Sequence, residues 1–347
     1  MNTLIEYLKY FCSIPSPSGY EERITCAIKD VLLAFKGWSI TEDGLGNVFA
    51  TKKGVLEKTI MLVAHCDEVG FVVKYIDESG LIHFAPIGGI DISILHGLHV
   101  VIDHDGQLID GVIGKRPIHL SRNEKTNRSL DYSDLWVDVG LNEKKKTEAV
   151  VSVGDPISFG FHWSSLGNGL FTSKSLDNRT GVAVLVSVAN LLQTLTTDYT
   201  IVLAFSVQEE LGLRGAITAG YSINPEMCIA IDTTHATDYP GIDKRCNGDI
   251  RLGDGPSIPI GGNFNRSLQS GLRQIAIDNS IAFQLEAIPG NSGTDIAEIQ
   301  LSRSGIKTGL ISIPTRYLHT PIEVASIADI QSVIDIVTGF VSLSNNS

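Results

Sequence analysis

Hydrophobic residues follow two different patterns along the chain. Up to about residue 69 and again after about residue 163, helical stretches alternate with short apolar runs such as residues 59–64 and 200–207. A run that is apolar at every position is typical of a strand covered on both faces of a sheet. This alternation predicts an α/β fold with a mixed, largely parallel sheet flanked by helices.

Between these two parts, residues 70–162 show short alternating segments separated by glycines. This pattern predicts a small, barrel-like β-domain inserted into an α/β domain formed by residues 1–69 and 163–347. Within the insert, the polar residues 115–134 predict a long loop. Near the N-terminus, Ser18 and Glu21 have the spacing of a capping box, which predicts a helix that ends near Phe35.

Composition and charge argue against several classes of protein function. The 347 residues carry a net charge of -12, which argues against a nucleic-acid-binding or membrane-surface protein. No apolar stretch is long enough to span a membrane, and the first residues lack the layout of a signal peptide. The five cysteines are scattered and form no CxxC pair, as expected for free thiols in a reducing compartment. We therefore expect a cytoplasmic protein.

Four of the predicted strands are followed by side chains of the kind that bind metal ions. If the strands are parallel, their carboxyl ends meet at one edge of the sheet, where α/β proteins bind ligands. Asp177, which precedes a predicted helix over residues 182–195, could point into the same crevice. The residues at the strand ends are His65, Asp67, Glu209, Glu210, Asp232 and His319.

The types of these side chains indicate the chemistry. Two imidazoles and three carboxylates suit zinc or cobalt better than calcium or magnesium, which prefer oxygen ligands alone. Two such ions about 3.5–4 Å apart polarise a carbonyl and generate a nucleophile from water at neutral pH. Adjacent side chains on extended backbone point in opposite directions, so one of Glu209 and Glu210 could bind metal while the other handles the proton.

Each residue also has a structural interpretation when it is taken alone. His65 and Asp67 could form a hydrogen-bonded pair at a strand end, the two glutamates could lie in a solvated turn, and Asp232 could cap a turn. The convergence of all of them favours a site. His235 lies close enough to Asp232 to line that site, and we interpret it as structural.

Five motifs occur in order along the chain, and together they resemble one known family. They are AHCDEVGF, SLDNRTGVAVL, VQEELGLRGA, AIDTTHATD and IPTRYLHTPIEV. They are similar to those of the glutamyl and deblocking aminopeptidases, metallopeptidase family forty-two, also called the tetrahedral aminopeptidases, over the whole chain. The resemblance implies an aminopeptidase for small peptides with two divalent metal ions per subunit, zinc or cobalt. It also implies an inserted β-domain that serves assembly or acts as a lid, and a homo-oligomer, commonly a tetrahedral dodecamer.

The resemblance also implies a role for each residue. His65, Asp177 and Asp232 would hold one metal, and Asp177, Glu210 and His319 would hold the other, with Asp177 bridging. Glu209 would be the general base that passes the water proton to the leaving amine. Asp67 would orient the ring of His65. Residues 290–300, where Asn291, Ser292, Ile296 and Glu298 depart from the family pattern, would shape the pocket for the first side chain.

Three other functions are weighed against this one. A related di-metal deacylase or carboxypeptidase-type amidohydrolase would use the same site, and a requirement for a free α-amine would separate the two. A glycoside hydrolase needs paired carboxylates and no histidine ligands, so His65 and His319 argue against it. A non-catalytic binding or scaffold protein would not need all five ligands and a base. A serine nucleophile is also excluded, because the sequence GNSGT lacks the second glycine of a GxSxG elbow.

Overall fold

The larger part of the fold is a mixed sheet. The computed structural model describes residues 2–120 and 129–343, and in that part of the chain the sheet has nine strands. In spatial order they are β1 (Ser39–Glu42), β2 (Val48–Lys52), β12 (Thr200–Ser206), β3 (Thr59–His65), β13 (Met227–His235), β16 (Lys307–Arg316), β17 (Glu323–Ser326), β11 (Leu170–Ser173) and β10 (Trp163–Ser165), numbered in chain order.

The central strands β12, β3, β13 and β16 are parallel to one another, and the strands on both sides are antiparallel. The predicted mixed sheet is therefore confirmed, with its parallel part at the centre. On β3 successive side chains pack into two different hydrophobic cores. Ile60 and Leu62 face one core, and Met61 and Val63 face the other. This explains why the run is apolar at every position, since both faces of the strand are buried.

Helices cover both faces of the sheet. The first core packs against α1 (Asn2–Ser13), α2 (Glu22–Leu33), α4 (Leu176–Leu192), α7 (Arg266–Asp278) and α9 (Ile327–Leu343). The second packs against α5 (Arg214–Ile223) and α8 (Ile296–Ile299). The described part also contains the short helices α3 (Lys144–Thr147) and α6 (Lys244–Asn247). Among the helices of residues 2–120 and 129–343, none is both long enough and apolar enough to cross a membrane.

A closed antiparallel barrel forms the second part of the fold. Around the barrel its strands are β4 (Gly70–Ile76), β5 (Ile82–Ile87), β8 (Leu135–Asp138), β7 (Gln107–Lys115), β6 (His99–His104) and β9 (Pro156–Phe159). The barrel has a core of its own that includes Phe71, Phe84, Ile102 and Ile157. The predicted barrel-like β-unit is confirmed, and its strands lie inside the segment predicted as an insert. Of the loop predicted over residues 115–134, residues 121–128 lie outside the described part of the chain.

Two local predictions need correction. The capping box of Ser18 and Glu21 is wrong: α2 begins at Glu22 and ends at Leu33, and no side chain caps its first turn. The Glu21 carboxylate instead accepts hydrogen bonds from the backbone N–H groups of Gly19 (2.6 Å) and Gln208 (3.0 Å). Tertiary contact with the segment before Glu209 thus replaces the local cap. The helix predicted to end at residue 195 spans Leu176–Leu192, and Asp177 and Asn178 in its first turn have non-helical backbone angles.

Candidate metal centre

The carboxyl edge of the four parallel strands brings the predicted ligands together. His65 is the last residue of β3, Asp232 lies within β13, and His319 follows β16. Asp177 has non-helical backbone angles in the first turn of α4. With Glu209 and Glu210, which follow β12, these residues line one cavity of about 380 Å³.

Asp177 lies between the two histidines. Its Oδ1 is 3.1 Å from His65 Nε2, and its Oδ2 is 3.4 Å from His319 Nε2. Asp232 Oδ1 is 3.7 Å from His65 Nε2, and Glu210 Oε1 is 3.2 Å from His319 Nε2. The Nε2 atom of each histidine therefore faces the shared carboxylate of Asp177 and one further carboxylate.

The ligand atoms form two compact groups. In each group the candidate donor atoms lie within 4.8 Å of one another, close enough to share one ion. Glu209 belongs to one of them, so its carboxylate lies as near to a candidate ion as a ligand would. The groups are His65 with Glu209 and Asp232, and Asp177 with Glu210 and His319.

Buried acceptors hold the backbone of these residues in place. The Asp67 carboxylate accepts hydrogen bonds from the backbone N–H groups of Glu209 (3.2 Å) and Glu210 (3.1 Å). The Glu323 carboxylate accepts from the backbone N–H groups of Asp177 (3.0 Å) and His319 (2.7 Å). Two buried carboxylates thus hold the backbone of four site residues, and Glu323 joins Asp177 to His319, which is far from it in sequence.

The barrel also reaches the site. The carbonyl oxygen of Gly89, just after β5, lies 2.7 Å from His319 Nδ1. The preceding Gly88 has φ +78°, and a Cβ on it would lie 2.8 Å from Val69 and 3.3 Å from Glu210 Oε2. Only glycine allows this backbone to approach so closely. The barrel therefore contributes directly to the orientation of a candidate ligand.

Left-handed backbone angles flank the site. Ser175 (φ 60°), Gln208 (φ 55°) and His319 (φ 61°) adopt a conformation that costs energy for residues other than glycine. Each lies within two residues of a candidate site residue or is one itself. Such conformations persist only where the surrounding structure enforces them, and they are concentrated at functional sites.

Without metal, the site has too many acidic groups for its cations. Burial raises the pKa of Glu209 to about 10 and that of Asp295 to about 7. Burial alone would lower the pKa of His319, but its hydrogen bonds with Asp177 and Glu210 raise it to about 11. The metal-free site therefore holds protons on Glu209 and on its imidazoles, whereas the neighbouring histidines lower the pKa of Asp177. Divalent cations would favour the opposite state, with ionised carboxylates and neutral imidazoles.

Comparison with known proteins identifies the family. The family model described as M42 glutamyl aminopeptidase matches residues 46–336. The chain belongs to the M42 family. A lysyl aminopeptidase from Pyrococcus furiosus is 34% identical over 338 residues, which cover 95% of this chain and 94% of the relative.

Solved structures agree with this membership. An aminopeptidase from Desulfurococcus kamchatkensis has a TM-score of 0.91 and 33% identity, covering 99% of this chain and 95% of its own. The Pyrococcus horikoshii TET1 peptidase can assemble into a tetrahedron or a large octahedral shell. It has a TM-score of 0.87 and 31% identity, and the match covers 97% of this chain and 99% of the TET1 chain. The resemblance seen in the sequence is thus confirmed, and the chain is an M42 aminopeptidase.

M42 peptidases are metal-dependent, and the residues of this chain fit divalent ions. Imidazole and carboxylate are the donors that zinc and cobalt accept. The buried His65 Nδ1 makes no hydrogen bond among the described residues and lies 3.5 Å from Asp67 Oδ1. A metal on His65 Nε2 would fix the proton on Nδ1, where Asp67 could accept it.

Three residues of this M42 site were missed from the sequence. The Glu323 carboxylate accepts hydrogen bonds from the backbone of Asp177 and His319, and the Gly89 carbonyl lies against the His319 ring. Asp295 is a buried carboxyl that accepts a hydrogen bond from the Ser206 hydroxyl. Glu323 did give a signal: it is an acidic residue at the start of an apolar strand, four residues after His319. In the stretch 290–300, Ser292 lines the cavity, whereas Glu298 lines a separate surface depression.

Proposed function

We propose that this M42 aminopeptidase releases N-terminal residues from small peptides with two divalent metal ions, zinc or cobalt. The observation that carries the proposal is the position of the Asp177 carboxylate, with one oxygen near each histidine. A carboxylate in that position can bridge two ions. His65, Asp177 and Asp232 would hold one ion, and Asp177, Glu210 and His319 would hold the other.

Bound ions of this kind polarise the scissile carbonyl and lower the pKa of water. Glu209 takes the proton of the attacking water on a carboxylate oxygen and gives it to the nitrogen of the leaving amine. Its hydrogen-bonded backbone supports this role, because Asp67 fixes the N–H groups of both Glu209 and Glu210.

The role of Glu209 is tested by two substitutions. Glu209→Gln should keep the bound metal and lose most of the turnover, by roughly 10²–10⁴-fold, because a general base contributes that much. Glu210→Ala should lose metal as well as activity. Metal content is measured by mass spectrometry and turnover with aminoacyl chromogenic substrates. Glu57→Gln, at an exposed position, is the control. If Glu209→Gln bound metal and kept near wild-type turnover, the role of Glu209 as general base would be contradicted.

Two substrate controls separate the related functions. An aminopeptidase needs a free α-amine, so N-acetylated versions of the same substrates should not be cleaved. Hydrolysis of the acetylated forms would indicate a deacylase or another amidohydrolase. Activity should disappear with a chelator and return with zinc or cobalt. Activity on a polysaccharide that survives the chelator would indicate a glycoside hydrolase.

The domain division and the assembly are part of the same proposal. We assign residues 1–69 and 163–347 to the catalytic domain and residues 70–162 to an insert that serves assembly or acts as a lid. The closed barrel with its own core supports this division. The tetrahedron formed by the Pyrococcus horikoshii relative supports a homo-oligomer, which we propose is a tetrahedral dodecamer. Analytical ultracentrifugation would test it, and a monomer would contradict it.

A cytoplasmic location completes the proposal. It is supported by the five cysteines, which are all free in the structure. Three of them, Cys12, Cys66 and Cys228, are buried. Burial raises the pKa of each of these three thiols, so they stay protonated and unreactive. Cell fractionation of the native host would test this location.

A further inference from the structure

The cavity of the metal centre has a second end that the proposed reaction does not use. There the lining consists of Thr234, Glu286, Ile288, Leu310 and Ser312. Ile288 belongs to a small parallel sheet of β14 (Ile260–Gly261) and β15 (Ala287–Ile288). Glu286, just before β15, is the acidic residue of this end.

Glu286 lies a short distance from the ligands. The Thr234 hydroxyl donates to Glu286 Oε1 at 2.9 Å and lies 3.1 Å from Oε2. Thr234 is two residues after Asp232 on β13, so the two side chains point to the same face with Cα atoms about 7 Å apart. The Glu286 carboxylate is therefore about one long side chain away from the metal end of the cavity.

In the part of the chain that the structure describes, only neutral groups bind the Glu286 carboxylate. Besides Thr234, the Ser257 hydroxyl donates to Oε2 at 2.8 Å. These hydroxyls orient the carboxylate and leave its charge in place. Among the described residues no lysine or arginine lines the cavity or forms an ion pair with Glu286. A cationic ligand would therefore find a half-buried carboxylate whose charge is not already paired.

The walls beside Glu286 fit the rest of such a ligand. Ile288 and Leu310 are apolar and could contact the aliphatic stem of a lysine or arginine side chain, whose charged end would reach the carboxylate. An acidic side chain in the same position would meet a like charge, with no lysine or arginine to balance it. A leucine side chain would cover the carboxylate and remove its water without any compensating bond.

We propose that Glu286 selects substrates whose N-terminal residue is lysine or arginine. The inference rests on the proposed aminopeptidase function of this cavity. The scissile carbonyl lies at the Asp232 end, and the ammonium or guanidinium of the first side chain donates to Glu286. Glu286 is thus the specificity-determining residue, and the first side chain lies between the apolar walls.

The test compares wild-type protein, loaded with zinc or cobalt, with Glu286→Gln. Substrates are the p-nitroanilides of lysine, arginine, leucine and glutamate. Wild type should prefer lysine and arginine, with glutamate poorest. Glu286→Gln should lose about 30-fold or more in kcat/KM for lysine and arginine and keep its activity on leucine, because the lost bond is a charge-assisted one. Glu298→Gln, a partly buried glutamate outside the cavity, should keep the wild-type order.

Calorimetry with free L-lysine and L-leucine gives a second measurement that does not depend on turnover. Tighter binding of lysine by wild type, lost in Glu286→Gln, supports the inference. If no p-nitroanilide is cleaved but lysine binds selectively, the proposed aminopeptidase function fails and the assignment of the pocket stands. A preference for leucine or glutamate, or an unchanged lysine-to-leucine ratio in Glu286→Gln, overturns the inference while leaving the aminopeptidase function in place.

Discussion

Two clusters of buried charged groups in this protein differ in one respect. The first contains Glu68, Lys174 and Ser175, where Lys174 Nζ lies 2.5 Å from Glu68 and the Ser175 hydroxyl also donates to that carboxylate. The backbone N–H of Ser16 and the hydroxyl of Ser158 also donate hydrogen bonds to the Glu68 carboxylate. The second is the candidate metal centre, where carboxylates surround two histidines. The first cluster contains its own permanent cation, and the second does not.

The pKa values show the consequence. Burial would raise the pKa of Glu68, but Lys174 and Arg179 outweigh it and hold that pKa below its usual range. At the candidate metal centre no described lysine or arginine has this effect, and burial raises the pKa values of Glu209, Glu210 and Asp232. A buried cluster that lacks its cation depends on a ligand to supply the charge. The comparison thus separates a structural ion pair from a binding site.

The largest expected effect is on Asp177, the carboxylate between the histidines. Asp177→Asn removes the charge shared by both candidate ions, so metal binding should weaken at both. Turnover should fall by roughly 10³-fold or more, because metal catalysis contributes several kcal/mol. Metal content and kcat/KM are measured together, with the exposed Asp30→Asn as control. Full metal content in Asp177→Asn would show that this carboxylate does not bridge two ions.

Breaking the ion pair of Glu68 and Lys174 should reduce the stability of the fold and leave metal binding unchanged. Lys174→Met leaves Glu68 buried and unpaired, which should lower the free energy of unfolding by about 3–5 kcal/mol. The measurement is urea denaturation of metal-free protein. The double variant Glu68→Gln with Lys174→Met should be less destabilised than the single one, since the charges of both ion-pair partners are removed together. A single variant as stable as wild type would contradict this interpretation of the pair.

Metal should stabilise the folded protein only through the candidate metal centre. Zinc at about a hundred times its dissociation constant should stabilise wild type by about 3 kcal/mol. This appears as a rise in Tm by calorimetry. Lys174→Met should show the same rise from a lower starting Tm, whereas Asp177→Asn should show little. Equal rises in all three proteins would mean that zinc stabilises the fold elsewhere.

The smallest effect concerns Asp329, a buried carboxyl outside both clusters. Burial raises its pKa to about 6, although the backbone N–H groups of Gly253 and Gly255 donate to it. The folded protein therefore binds a proton more tightly than the unfolded chain. The stability from this group is full below about pH 4 and is lost as pH rises towards 6, by at most about 3 kcal/mol. Asp329→Asn should flatten that decline in urea denaturation, and an unchanged slope would contradict the assignment.

Much of the candidate site could be predicted because its residues lie at or near the carboxyl ends of parallel strands. His65, Glu209, Glu210 and Asp232 follow apolar runs that only a doubly covered strand explains, and parallel strands bring their ends to one edge. The same local logic failed at Ser18 and Glu21. There the spacing matched a capping box, but backbone donors of Gly19 and of the distant Gln208 bind the glutamate instead.

The sequence alone indicated which side chains could meet at the sheet edge, because apolar runs mark buried strands and the polar residues that follow them mark the strand ends. Only the tertiary structure decided how they are held and what lies beside them. Glu323 joins Asp177 to His319 through backbone groups, Gly89 reaches His319 from the barrel, and Glu286 lies next to Thr234. These contacts join segments that are far apart along the chain. No local pattern encodes them, because they depend on how the sheet, the barrel and the loops pack together.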